Sequence, residues 1–364
     1  MPQWMRIQSI RREVRVRLRF AACLVCVLSF AAMTTAAAQK TLFYMQENAA
    51  AVRSFEQHKD KIDILVPTWY GVNGHGLVTG EPDRRVLSEA KVEHVQVIPI
   101  VVLFDKPQLH DLFADVKAQD VMNRALVREC KQHGYAGIQF DLEHVLWVER
   151  DGLSALVKRS AEALHAEGLQ VQIATVPNAP GSAGSLPYAK WMFEEWRGGY
   201  DLKALAESVD LICLMTYDQH SRYTAPGPVD GWQWTVENLD YALKDVPKEK
   251  LSLGIALYGY HWFAGDPALN KPEQHPNPSA ESLSFTNAEF LRATYNGKLQ
   301  WDEDDHTPWF YFTRDQTREW VFYTDKRAFM DRYDLARQRG LQGVCSWVLG
   351  DEDPAIWDAI PAKR

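Results

Sequence analysis

Gly137-Ile138-Gln139-Phe140-Asp141-Leu142-Glu143 alternates without interruption, with Ile138, Phe140 and Leu142 on one side and Gln139, Asp141 and Glu143 on the other. Successive side chains of a β-strand point to opposite faces. As a strand, this segment aims one amide and two carboxylates the same way and turns an apolar face to an interior. Two acids two residues apart on one face repel each other, and the repulsion raises the proton affinity of one, as a general acid near neutral pH requires. A solvated strand end carrying two surface acids is the competing reading.

Seven further strand-like runs surround this one, at residues 41–45, 61–70, 95–103, 169–176, 209–216, 251–257 and 343–348. Most are nearly unbroken β-branched and apolar, as expected of strands covered on both faces. Helical spacing fills several of the gaps, at residues 120–133, 152–167 and 335–339, the last two stopping at Gly168 and Gly340, with a final helical turn at 354–360. Strand–helix alternation gives parallel strands with right-handed crossovers, and eight units close into an α/β (β/α)8 TIM barrel. An open doubly wound sheet is the alternative, weakened by the lack of a G-x-G-x-x-G after the first strand.

One connection is too long for an ordinary loop. Residues 258–324 hold Pro267, Pro272, Pro276 and Pro278, a helical stretch at 285–295, and alternating aromatic pieces such as Trp309-Phe310-Tyr311-Phe312. They read as a small α+β insertion between strand 7 and helix 7.

The chain opens with a basic segment (Arg6, Arg11, Arg12, Arg15, Arg17, Arg19), an apolar run at residues 20–33 and Ala36-Ala37-Ala38. This is the pattern of a secretory signal peptide over residues 1–38, leaving Gln39 as the mature N-terminus. The apolar run is short against the ~20 residues of a membrane span. Residues 1–38 carry six Arg and one Glu, so their removal takes the formal net charge from −8 to −13. An exported, strongly acidic domain spanning residues 39–364 is a poor partner for nucleic acid or anionic membrane. That charge leaves a neutral polysaccharide open as a partner. Cys130, Cys213 and Cys345 form no C-x-x-C pair, and they read as small buried hydrophobes without a disulfide framework or zinc site.

Chemistry in such barrels lies at the C-terminal ends of the strands. Those ends carry Tyr44, Trp69, the pair Asp141 and Glu143, Met215-Thr216-Tyr217-Asp218, Tyr258-Gly259-Tyr260 and Ser346-Trp347. A ring of acids and large aromatics, without a metal-ligand cluster or phosphate loop, suits a sugar: aromatic faces stack on pyranose rings, and acids bind hydroxyls or protonate a glycosidic oxygen.

These residues carry a resemblance. Residues 136–143 (AGIQFDLE) resemble the D-G-x-D-x-D-x-E strand of family 18 glycoside hydrolases, the chitinase family, and Met215-Thr216-Tyr217-Asp218 resembles its M-x-Y-D strand end. Pro226-Gly227-Pro228, residues 247–260 and residues 340–357 look most like the bacterial branch that includes spore cortex-lytic N-acetylglucosaminidases. The resemblance implies hydrolysis of β-1,4 bonds in N-acetylglucosamine polymers, peptidoglycan or chitin, without cofactor or metal. It implies a retaining mechanism in which the substrate's 2-acetamido carbonyl is the nucleophile. Glu143 is then the acid and later the base, Asp141 holds the acetamide, Tyr217 donates to its carbonyl and Trp347 floors the pocket. Gln139, Asp218, Tyr258, Trp69 and Tyr44 are the remaining candidates for substrate binding. The family's first two acids stand here as Ala136 and Gln139, and the Gln139 amide is expected to hydrogen-bond Asp141. His144, on the opposite strand face, is expected to pack. A catalytically weak or silent chitinase-like sugar-binding protein on the same barrel is the alternative function.

Overall fold

The structure is a computed structural model, and it describes residues 39–263 and 280–363. The expected signal segment, residues 1–38, and the four prolines between 267 and 278 lie outside the described residues.

Eight parallel strands form the barrel: β1 Lys40–Met45, β2 Ile64–Pro67, β3 in two pieces at Gln96–Val97 and Ile100–Leu103, β4 Gly137–Leu142, β5 Gln170–Thr175, β6 Leu211–Leu214, β7 Leu251–Ala256 and β8 Gly343–Trp347. β8 pairs with both β7 and β1, and β1 pairs with β2. The first piece of β3 pairs with β2 and its second piece with β4, which closes the ring. Pro99 sits at the break; without an N–H it cannot donate to a ladder. The expected second strand is shorter than residues 61–70. Lys59–Lys61 winds into a 3-10 turn, and Tyr70–Val72 turns off to pair antiparallel with Val78–Gly80.

The helical connections include Ala49–His58, Arg84–Val92, Val116–His133, Arg150–His165, Trp232–Ala242 and Lys326–Arg339. Asn48, Asp83, Asp115 and Asp325 accept backbone N–H bonds at their N-termini, which satisfies donors that the first turn leaves orphaned. In β4 the alternation sorts as expected. Ile138, Phe140 and Leu142 are at most 1% exposed in the layer between barrel and helices. Gln139 and Asp141 turn into the barrel. Gly137 is required by close approach, since a Cβ there would meet the Gln170 carbonyl oxygen of β5 at 2.0 Å.

Between β7 and the Lys326–Arg339 helix stands the α+β insertion, a five-stranded antiparallel sheet with the helix Phe285–Thr294 on one face. Leu283, Phe310, Phe312, Val321 and Tyr323 form its own core. Arg332, fully buried, fixes it to the barrel. Its Nε lies 2.9 Å from an Asp230 carboxylate oxygen, and its guanidinium donates to the carbonyls of His306 and Asp305 at 2.9 and 3.2 Å.

Candidate active site

The C-terminal mouth of the barrel holds a cavity of about 460 Å³. Asp141, Glu143, Tyr217, Asp218, Tyr258 and Trp347 all line it, brought together from β4, β8 and the residues that follow β4, β6 and β7. Asp141 is the last inward residue of β4 and is 5% exposed; its Oδ1 is buried without a hydrogen-bond partner among the described residues. Native structures rarely leave such an atom unsatisfied. Glu143 follows just beyond the strand end. The chain then turns away through a left-handed residue, His144 (φ 61°), whose ring packs on Trp196 at 5.4 Å between centroids.

Burial raises the proton affinity of both carboxyls. Glu143 is pushed up to about 7 by desolvation and then by the Asp218 carboxylate. Asp141 is raised by desolvation and then by the charge of Glu143. A carboxyl near 7 holds its proton often enough at neutral pH to act as an acid and loses it readily enough to act as a base. Burial also raises Tyr217, which therefore stays a protonated donor. Asp218 takes hydrogen bonds from Tyr258 (2.6 Å) and Tyr260 (2.9 Å). Trp347 is half-buried, with Tyr44 behind it at 5.2 Å between ring centroids. Among the described residues no cluster of three His, Cys, Asp or Glu is placed to hold a metal ion, and no helix is long and apolar enough to cross a membrane.

Three expected binding residues do not reach this cavity. Gln139 is 0% and Tyr44 1% exposed, both inside the barrel one layer below the acids. The expected Gln139–Asp141 bond is replaced by others. Gln139 Oε1 accepts from the Tyr44 hydroxyl at 2.6 Å, and its Nε2 donates to Gln172 Oε1 at 3.0 Å and meets Cys213 Sγ at 3.4 Å. The longer side chain bridges across the barrel to neighbouring strands instead of rising along its own. Trp69, 4% exposed, lines a separate cavity with Glu81 and Arg85. Tyr44 thus supports the site from below. Tyr44→Phe leaves the buried Gln139 oxygen without its donor, and we expect a loss of ~1–3 kcal/mol in chemical denaturation with less than a tenfold loss of turnover. A larger loss of turnover than of stability would place Tyr44 in direct contact with substrate.

Met192, Trp196, Arg197 and Trp234 also line the cavity and were absent from the expected set. They come from the segment after β5 and the helix after β6, where no strand-end signal marks them. Met215 stood in the quoted motif and lines the cavity as well.

The model of glycosyl hydrolases family 18 matches residues 104–353. The uncharacterized glycosylase YvbX of Bacillus subtilis is 20% identical over 89% of this chain and 91% of its own. The cortical fragment-lytic enzyme of the same organism is 23% identical over 78% of this chain, which spans 63% of that enzyme's length. Among solved structures, a chitinase from Chromobacterium violaceum superposes with a TM-score of 0.76 at 26% identity, covering 89% of this chain and 98% of its own.

Proposed function

The chain belongs to glycosyl hydrolase family 18, and from that premise we propose that it hydrolyses β-1,4 bonds in N-acetylglucosamine-containing polysaccharide, peptidoglycan or chitin. The observation that carries the reading is the pair Asp141 and Glu143 on one cavity with Tyr217 and Trp347, the outer carboxyl near 7 and the inner one with an unpartnered oxygen.

The carboxyls stand two residues apart on one side of β4, poorly placed to flank a sugar from opposite faces as acid and nucleophile. The substrate's own 2-acetamido group supplies the nucleophile, a known exception to the two-carboxylate scheme. Glu143 gives its proton to the glycosidic oxygen as the C1–O bond breaks, and the acetamide carbonyl oxygen bonds C1 from the opposite face. The resulting oxazolinium carries positive charge beside Asp141, whose free oxygen accepts from the acetamide N–H. Tyr217 donates to the acetamide oxygen and keeps it aimed at C1. Water then attacks C1, giving its proton to Glu143, and the ring opens with retained configuration. Trp347 carries the apolar face of the sugar. With its N-terminal export segment, the enzyme would meet its polymer outside the cytoplasm.

Release of a fluorescent aglycone from a chitobiose conjugate tests this. The acid form of Glu143 exists below about 7, so kcat/KM is expected to fall about tenfold per pH unit above that pH, and to fall again on the acid side as Asp141, whose proton affinity burial raises, takes up a proton. A rate that climbs through pH 7 to 9 assigns the proton donor elsewhere. Binding of the conjugate without release at any pH favours the silent sugar-binding alternative.

A further inference from the structure

Among the described residues lining the cavity, Arg197 is the one cation, set against the carboxylates Asp141, Glu143 and Asp218. The proposed hydrolysis has no use for it. A guanidinium beside a developing oxazolinium raises the energy of that cation unless another charge offsets it. Nor, among the described residues, does Arg197 form a structural ion pair. Its neighbour Glu195 is taken by Lys106 at 2.5 Å, and the titratable group acting on Arg197 is the Tyr188 phenol, not a carboxylate. It is half-buried, and desolvation disfavours its charge. Such a group gains most from an incoming anion.

Its position is built. Gly198 and Gly199 follow it in a 3-10 turn so tightly seated that a Cβ would meet the Phe193 carbonyl at 2.7 Å or the Val145 carbonyl at 2.4 Å. Tyr200, closing the turn, donates its hydroxyl to the Leu142 carbonyl at 2.8 Å. Leu142 lies between Asp141 and Glu143, so the turn that carries Arg197 is tied directly to the catalytic strand end.

We propose that Arg197 is a specificity-determining residue that pairs with a carboxylate on the glycan, so that the enzyme prefers an acidic N-acetylated amino-sugar polymer to neutral chitin. This rests on the hydrolase reading above and sharpens its substrate class. In peptidoglycan the carboxylate has two sources, the 3-O-lactyl ether of the glycan strand and the peptide stem. The planar fork of arginine binds either bidentately.

The test compares kcat/KM on three substrates of equal chain length: a chitooligosaccharide, peptidoglycan glycan strands freed of peptide, and strands with peptides attached. Arg197→Met is expected to lower kcat/KM on the carboxylate-bearing strands at least tenfold more than on the chitooligosaccharide, chiefly through KM. Arg197→Lys restores part of the difference, and added salt narrows it in the wild type. A differential confined to peptide-free strands assigns the lactyl carboxylate; one confined to peptide-bearing strands assigns the stem. Equal losses on acidic and neutral strands overturn the assignment while leaving the hydrolase reading intact. If the wild type cleaves none of the three, the hydrolase reading fails. Calorimetric binding of the same strands to wild type and Arg197→Met then decides the preference on its own.

Discussion

Glu143→Gln is expected to lower kcat on a chitobiose conjugate by about two to four orders of magnitude while leaving affinity for the chitooligosaccharide within a few-fold of wild type. The glutamine side chain has the same shape and fills the same space on the cavity wall, so the contacts that hold the sugar persist. What it loses is a proton that can be given to a leaving alkoxide and taken back from water, and general acid–base catalysis of this kind contributes ~10²–10⁴-fold. Single-turnover kinetics separate the chemical step from binding, and unchanged turnover rejects Glu143 as the acid. The same variant has an opposite effect on stability. Glu143 moves from its ordinary value of 4.5 to about 7 on folding, so the folded protein holds this proton more tightly than the unfolded chain. The stability it confers is complete below the unfolded value near 4.5 and is lost as pH rises through 7, where a charged carboxylate must stay desolvated. A shift of that size corresponds to ~3 kcal/mol by linkage. Glu143→Gln is therefore expected to unfold at higher denaturant than wild type at pH 8 and alike at pH 4. A protein that gains stability by losing its acid stores the cost of its chemistry in the folded state.

The barrel was legible because burial imposes a pattern on every strand. The alternation of Ile138, Phe140 and Leu142 against Gln139 and Asp141 marks β4, and the runs at 209–216 and 251–257 mark strands with two covered faces. The strand ends then located Asp141, Glu143, Tyr217, Asp218, Tyr258 and Trp347 at one mouth. Depth along the barrel axis was not legible. Gln139 and Asp141 share a face, yet two residues separate a side chain sealed inside the barrel from one that lines a cavity, and nothing local encodes which layer is the last. Tyr44 and Trp69 differ from their expected places for the same reason: an aromatic at a strand end satisfies either a pocket wall or the layer beneath it. Trp196, Arg197 and Trp234 went unseen because connecting segments carry no periodicity that fixes where a side chain lands. Arg197 is positioned by the Gly198 and Gly199 contacts and by the Tyr200 bond to Leu142, and the Gly199–Val145 and Tyr200–Leu142 contacts among them are long-range.

Asp141→Asn tests the other half of the chemistry. Asparagine matches aspartate in volume and retains an oxygen that can accept from the acetamide N–H, so ground-state binding should change little. It cannot oppose the positive charge that develops on the oxazolinium, and fixed electrostatic stabilisation of such charge in a water-poor site is worth ~10²–10³ in kcat. The loss is therefore expected in kcat, with KM within a few-fold of wild type. The site around Asp141 amplifies the effect: the carboxyl is 5% exposed and, among the described residues, one of its oxygens lacks a hydrogen-bond partner, so no neighbouring protein group there takes over the missing charge. A second arm isolates the acetamide. If this group is the nucleophile, a conjugate carrying hydroxyl in place of 2-acetamido should be cleaved by the wild type at least ~10³-fold more slowly, because the reaction loses an attacking group held at high effective concentration. On that conjugate Asp141→Asn should add little further loss. Equal cleavage of the two conjugates by the wild type removes the substrate-assisted mechanism. A Glu143-dependent rate on the hydroxyl conjugate that collapses in Asp141→Asn would instead make Asp141 the nucleophile.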